Sequence, residues 1–228
     1  MTRPSSPQDP DAAFGRLRDE VSLRAGGAPP QVIGVTSPRR GAGRTTVTLG
    51  LGRAFARAAV EPVLLVDMDL RAPALHLALE RPLGRGVSDL LRGDADVDGA
   101  IQKVEAGLWL LSAGTRAADS AMLMTAPHLA SLLTSLRGHV GTIVIDAPPM
   151  ESGTEAHTLA AACESVLLVV RADRTLARDA RGATAALLAA GANVTGVVLN
   201  DLRRMKGALT PTFVLPPQRV GQDSIRSA

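Results

Sequence analysis

Short apolar runs that alternate with amphipathic helical patterns limit the architectures open to this chain. Val63–Val66 and Thr142–Ile145 each end at an aspartate, and Val166–Val170 is a third such run. Continuous apolar runs bounded by turn signals are typical of parallel strands buried on both faces. The alternation predicts an α/β fold with a single doubly wound, mostly parallel sheet flanked by helices. Other predicted strands are Gln31–Thr36, Leu108–Leu111 and Val194–Leu199, and predicted helices are Asp11–Arg24, Arg44–Ala59, Pro127–Arg137, Thr154–Cys163 and Arg174–Ala190.

Length and composition predict one folded domain with polar ends. The chain has 228 residues, of which 46% are hydrophobic and 21% are charged, an ordinary globular composition. We expect residues 1–30 to be a flexible N-terminal segment with a short helix, 31–202 the α/β domain and 203–228 a flexible C-terminal tail. No apolar run approaches the ~18 residues of a membrane span, so we expect a cytoplasmic protein without direct membrane insertion.

The content of charged residues, cysteine and tyrosine excludes several kinds of function. One cysteine, Cys163, excludes a disulfide framework. The formal net charge of +3 is small, and we expect no nucleic-acid partner. Of the 25 lysine and arginine residues only Lys103 and Lys206 are lysines. Because the chain contains no tyrosine, it cannot phosphorylate itself on tyrosine.

A glycine-rich loop, Ser37–Gly43, lies between the first predicted strand and the next helix. Its glycines let the backbone curl with its amides inward, and the helix N-terminus adds partial positive charge. The usual phosphate-binding pattern is G-x-x-x-x-G-K-[ST]. Here Pro38 replaces the first glycine, and Arg44 stands where lysine is expected. The loop predicts binding of ATP or ADP by Arg40, Gly41, Ala42, Gly43, Arg44, Thr45 and Thr46.

Arg44 keeps the charge of the expected lysine but not its shape. A lysine ammonium is a compact point charge, whereas a guanidinium is longer, planar and forked. Backbone amides and Mg²⁺ supply much of the attraction for phosphates, so binding tolerates this exchange better than chemistry does. Arg44 is therefore a candidate catalytic position at which activity is reduced.

Aspartates at strand ends are predicted to complete the site. The carboxyl ends of parallel strands form the ligand-binding edge of such sheets, so Asp67 and Asp146 should face the glycine-rich loop. We predict that Thr45, Asp67, Asp69 and Asp146 organise Mg²⁺, which prefers oxygen ligands. Asp67 is also the candidate base for an attacking hydroxyl. The alternative is that these aspartates only cap the helices that follow them.

Taken together, these motifs resemble the ParA/MinD-type P-loop ATPases, and in particular the bacterial tyrosine kinase (BY-kinase) domain of capsule and exopolysaccharide synthesis. Thr36–Thr46 resembles the Walker A loop, Val63–His76 the Walker A′ segment and Ile143–Pro149 the Walker B strand. The resemblance extends over about 11–201 and implies a P-loop NTPase fold. It also implies that Asn200 contacts adenine.

The departures from the family pattern point to a weak or inactive kinase. The C-terminal tyrosine cluster is absent, and the Walker A lysine is Arg44. The family also has an E-x-x-R-x-x-R pattern used in ring assembly. Its three defined positions are Ala12, Gly15 and Arg18 in this chain, so only the last arginine is kept. The resemblance therefore implies a nucleotide-binding regulator of polysaccharide synthesis or export. Its implied partners are the cytoplasmic end of a membrane polysaccharide co-polymerase, which would recruit it to the inner face of the membrane, and further copies of itself.

Two alternatives remain open from the sequence. One is an active tyrosine kinase or ATPase that acts on a separate, tyrosine-bearing protein. The other is a ParA/MinD-like positioning ATPase. That class usually has a second lysine early in the loop, where this chain has Arg39. A division-site ATPase also needs a C-terminal amphipathic helix, which Pro211, Pro216 and Pro217 disfavour.

Overall fold

The computed structural model describes residues 9–172, 174–200 and, by backbone alone, 212–214. These residues form an eight-stranded sheet. Its strands are β1 (Val32–Thr36), β2 (Val63–Asp67), β3 (Ile101–Glu105), β4 (Leu108–Leu111), β5 (Thr142–Asp146), β6 (Ser165–Arg171), β7 (Val194–Asn200) and β8 (Thr212–Val214). Their order across the sheet is β3-β4-β2-β5-β1-β6-β7-β8, with only β3 and β8, at the two edges, antiparallel to their neighbours. The predicted fold class is confirmed.

Helices cover both faces of the sheet. They are α1 (Pro10–Arg24), α2 (Arg44–Ala56), α3 (Leu75–Ala78), α4 (Val87–Arg92), α5 (Val97–Ala100), α6 (Ser120–Leu123), α7 (Ala126–Arg137), α8 (Thr154–Ala162) and α9 (Ala177–Ala189). Apolar residues of α1 and α2 pack on one face, and those of α7, α8 and α9 pack on the other. Alternate residues of the same strands enter the two cores, which explains why the runs are continuously apolar. Within the described ranges, no helix is long and apolar enough to cross a membrane.

Strand order brings the predicted site residues to one edge. β5 lies between β1 and β2 and is parallel to both. Asp67 and Asp146 are partners in register at the carboxyl ends of β2 and β5. The glycine-rich loop leaves β1 at the same edge, because Val35 is the register partner of Asp146 on the other side of β5.

The structure differs from the sequence prediction at both ends of the chain. α1 is not part of a flexible segment, since Phe14, Leu17 and Val21 are buried against α2. β8 falls inside the predicted tail, where Thr212–Val214 pairs with β7. β3 was not predicted, because this edge strand is only half buried and lacks a continuous apolar run. Residues 1–8, 173, 201–211 and 215–228, with the three prolines discussed above, lie outside the described residues.

Candidate nucleotide-binding site

The glycine-rich loop leads directly into the N-terminus of α2. Gly41 and Gly43 adopt left-handed backbone angles, with φ of 79° and 93°. Gly43 is the N-cap residue of α2 and provides no side chain to satisfy the first amides of the helix. Among the described residues, the amides of Arg44, Thr45 and Thr46 have no hydrogen-bond acceptor. A helix N-terminus with unsatisfied amides fits a phosphate group.

Asn200 holds the loop from the end of β7. Its Nδ2 donates to the carbonyl oxygen of Ala42 at 2.9 Å. The contact is so close that a Cβ atom at Gly43 would overlap the Asn200 amide. Only glycine fits there, both for space and for backbone angle. The adenine contact assigned to Asn200 remains a prediction.

Thr45 and Asp146 meet at the start of α2. Thr45 Oγ1 donates to Asp146 Oδ2 at 2.6 Å, a contact that the position of β5 beside β1 makes possible. The other oxygen, Asp146 Oδ1, is buried and has no partner among the described residues. A buried carboxylate oxygen without a partner, next to a hydroxyl, is the donor set that suits a magnesium ion. These two residues therefore fit the metal role predicted for them.

Asp67 is engaged by its own chain. Its Oδ2 accepts hydrogen bonds from the amides of Ala74 at 2.8 Å and Leu75 at 2.9 Å, at the start of α3. Its Oδ1 accepts a hydrogen bond from the amide of Asp69 at 3.2 Å. Asp67 thus caps the helix that follows it, the alternative left open by the sequence. Its roles as base and metal ligand remain predictions.

Asp69 lies against guanidinium groups. Arg44 Nη2 donates to Asp69 Oδ2 at 3.2 Å, and Arg44 Nη1 donates to the carbonyl oxygen of Ala147. Arg40 Nη1 lies 3.5 Å from the same Asp69 oxygen. Asp69 is therefore paired with two guanidinium groups, and its role as a metal ligand remains a prediction. Across the described part of the chain, no three acidic, histidine or cysteine side chains are arranged to hold a metal by themselves.

Burial and proximity raise the pKa values of the two strand-end aspartates. Burial raises the pKa of Asp146 to about 7, with a further contribution from the negative charge of Asp67. Burial also raises the pKa of Asp67 to about 6, against the lowering effect of its hydrogen bonds from Leu75 and Ala74. Without a cation, full ionisation of both groups is therefore unfavourable.

We expect the free energy of unfolding to fall as the pH rises from 5.5 to 8. Both carboxyl groups bind protons more tightly in the folded than in the unfolded protein, so their ionisation destabilises the fold. From pH 5.5 to pH 8 the free energy of unfolding should drop by about 2–3 kcal/mol. Urea titrations at the two pH values measure this change. Asp146→Asn removes the more perturbed group and should reduce the drop to under ~1 kcal/mol; an unchanged drop would contradict the assignment.

The comparisons with known proteins agree with this geometry. A family model described as the CobQ/CobB/MinD/ParA nucleotide binding domain matches residues 33–211. The putative tyrosine-protein kinase EpsB of Ralstonia nicotianae is 29% identical over 198 residues, 86% of this chain and 26% of EpsB. The chain thus spans about a quarter of the length of this curated relative.

Two solved structures show the same architecture. The kinase domain of VpsO is 31% identical, with a TM-score of 0.74 over 84% of this chain and 94% of that domain. The septum site-determining protein MinD of Pyrococcus horikoshii, in complex with Mg-ADP, is 27% identical. Its TM-score is 0.65 over 82% of this chain and 74% of MinD.

Three contacts at the site have no signal in the sequence. Glu151 Oε1 accepts a hydrogen bond from the amide of Arg40 at 2.8 Å. Arg171 Nη1 donates to the carbonyl oxygen of Gly41 at 3.3 Å. The carbonyl oxygen of Ala147 accepts a hydrogen bond from the Arg44 guanidinium. Glu151 and Arg171 are 111 and 130 residues from their partners in the chain, so only the folded arrangement shows these pairs.

Proposed function

Because the chain belongs to the CobQ/CobB/MinD/ParA nucleotide-binding family, we propose that it binds ATP or ADP with Mg²⁺ and regulates capsule or exopolysaccharide synthesis or export. The observation that carries the proposal is the junction of the glycine-rich loop with Asp146. Unsatisfied amides at the start of α2 lie beside the hydrogen-bonded pair of Thr45 and Asp146. Phosphates and a divalent cation are the groups that this combination of donors and acceptors suits.

Each part of the nucleotide has a candidate partner. The amides of Gly41–Thr46 would bind the phosphates, Thr45 and Asp146 would hold Mg²⁺ or its waters, and Asn200 would contact the base. The bound Mg²⁺ would neutralise phosphate charge. Asp146 must ionise to hold it, and the cation supplies the positive charge that the aspartate pair lacks.

We propose that phosphoryl transfer by this chain is weak. The Arg44 side chain is 10% exposed, and it binds Asp69 and the carbonyl of Ala147 instead of standing free at the site. Transition-state stabilisation depends on the placement of the cation. EpsB bears the name of a putative tyrosine kinase, so the chain would have the shape of a kinase domain with reduced turnover. Nucleotide binding would then act as a conformational signal.

The proposed partner is the cytoplasmic end of a membrane polysaccharide co-polymerase, which would recruit the protein to the inner face of the membrane. Support comes from the resemblance of the chain to kinases of polysaccharide synthesis. A homo-oligomer is also proposed, but the surviving residue of the ring-assembly pattern is used internally. Arg18 pairs with Asp19 and donates to the carbonyl of Ala54 in its own chain.

Nucleotide binding should stabilise the purified chain. At a ligand concentration 100 times Kd, a ligand that binds only the folded state adds about 2.7 kcal/mol to the free energy of unfolding. We expect this gain with ADP or ATP plus Mg²⁺, and a smaller one after EDTA treatment. Thermal unfolding monitored by circular dichroism measures both. Absence of a shift at millimolar nucleotide would overturn the proposal.

A transfer assay separates the proposed regulator from an active kinase. The chain is incubated with γ-³²P-labelled ATP and the cytoplasmic segment of the co-polymerase, and labelled protein is detected on a gel. We expect little label on either protein. Strong labelling of the partner on tyrosine would instead favour the active kinase.

A further inference from the structure

Arg40 links the glycine-rich loop to the segment that follows β2. The residue lies in the glycine-rich loop after β1, and its guanidinium reaches Asp69, which follows β2. Since β5 lies between β1 and β2, this contact joins segments on either side of β5, the strand that ends at Asp146. The hydrogen bond from the Arg40 amide to Glu151 fixes the backbone from which it extends.

Arg40 and Arg44 share one carboxylate oxygen but are held differently. The Arg44 side chain is 10% exposed and has two acceptors, the Ala147 carbonyl and Asp69, the latter at 3.2 Å. The Arg40 side chain is 46% exposed and lies farther from Asp69, at 3.5 Å. Among the described residues, its guanidinium has no second acceptor. An incoming anion therefore displaces Arg40 from Asp69 more readily than it displaces Arg44 from Asp69.

We infer that Arg40, and not Arg44, supplies the cation that meets the terminal phosphate of ATP, and that it exchanges Asp69 for this phosphate on binding. The inference rests on the proposed nucleotide binding. Guanidinium groups bind phosphate oxygens through two parallel hydrogen bonds, which a carboxylate contact at 3.5 Å does not match. ADP lacks the terminal phosphate, so Arg40 sets the preference for ATP over ADP.

The inferred role concerns binding and leaves transfer weak. Arg40 approaches from the solvent side on a long side chain, so it adds charge to the bound state without the fixed placement that catalysis needs. It thereby compensates in affinity for the cation that Arg44 commits to Asp69 and Ala147. A signalling protein that distinguishes ATP from ADP needs this property more than it needs turnover.

Calorimetric titration of the full chain with Mg²⁺ and either ADP or a non-hydrolysable ATP analogue tests this inference. Arg40→Gln should weaken binding of the ATP analogue about 10-fold or more, the effect of losing a hydrogen bond to a charged group. Binding of ADP should change less than about 3-fold. Arg40→Lys keeps the positive charge and should retain part of the preference for the ATP analogue over ADP. This variant provides the test if Arg40→Gln proves poorly folded.

Arg39→Gln is the matched control in the same loop. The Arg39 side chain is 67% exposed and pairs with Asp179 at 3.1 Å, so its loss should leave both affinities within about 2-fold. An unchanged ratio of the two affinities in both Arg40 variants, with the wild-type chain still binding, would overturn the inference alone. If the wild-type chain binds neither nucleotide, the proposed function fails and this inference fails with it.

Discussion

Arg44→Lys is expected to raise ATP turnover by a factor on the order of 10²–10³, the usual effect of one aligned donor at a developing negative charge. The physical reason is the present engagement of the arginine. Its forked group reaches both Asp69 and the carbonyl of Ala147 from a nearly buried position. A lysine has one ammonium group and a slimmer side chain, so it leaves the Ala147 carbonyl and lies along the phosphates.

Steady-state release of phosphate from ATP, measured with Mg²⁺ in excess, checks this prediction. Arg44→Gln is the control, because it removes the charge and the fork without adding an ammonium group. We expect no gain in turnover from that variant. Unchanged turnover in Arg44→Lys with intact ADP binding would show that the arginine is not the defect.

Gly43→Ala is expected to abolish measurable nucleotide binding, with a loss of at least about 100-fold, and to destabilise the fold. Two effects combine at this residue. Its φ of 93° costs a residue with a Cβ on the order of 1–2 kcal/mol. The new Cβ also overlaps the Asn200 amide, so either the Asn200 side chain must give up its hydrogen bond to the Ala42 carbonyl or the loop must move. A displaced loop no longer presents its amides correctly to the phosphates.

Substitutions at two other glycines separate the cost of the backbone angle from the cost of the overlap with Asn200. Gly41 also has a positive φ, of 79°, but open space where a Cβ would be added, so Gly41→Ala should show only the backbone cost. Gly182, inside α9, also has open space there, and Gly182→Ala should stabilise the protein by about 0.5–1 kcal/mol. Urea unfolding and ADP titration measure all three variants. Equal effects of Gly41→Ala and Gly43→Ala would show that the contact with Asn200 is unimportant.

The central strands and the placement of the site were predictable because their signals are local. A strand buried on both faces needs a continuous apolar run, and Val63–Val66 and Ile143–Ile145 provide one. In a parallel sheet the carboxyl ends lie at one edge, so Asp67 and Asp146 had to lie at the same edge as the glycine-rich loop. The edge strand β3 escaped prediction, because it is only half buried and lacks a continuous apolar run.

The partners of the charged side chains were decided by the tertiary structure. The sequence places Asp67 and Asp69 in the same segment, yet one caps α3 and the other balances Arg40 and Arg44. Thr45 and Asp146 lie 101 residues apart and meet only because β5 is inserted between β1 and β2. Local patterns specify which faces are buried. The pairing of long, flexible charged groups instead depends on distances between elements, which the chain acquires only on folding.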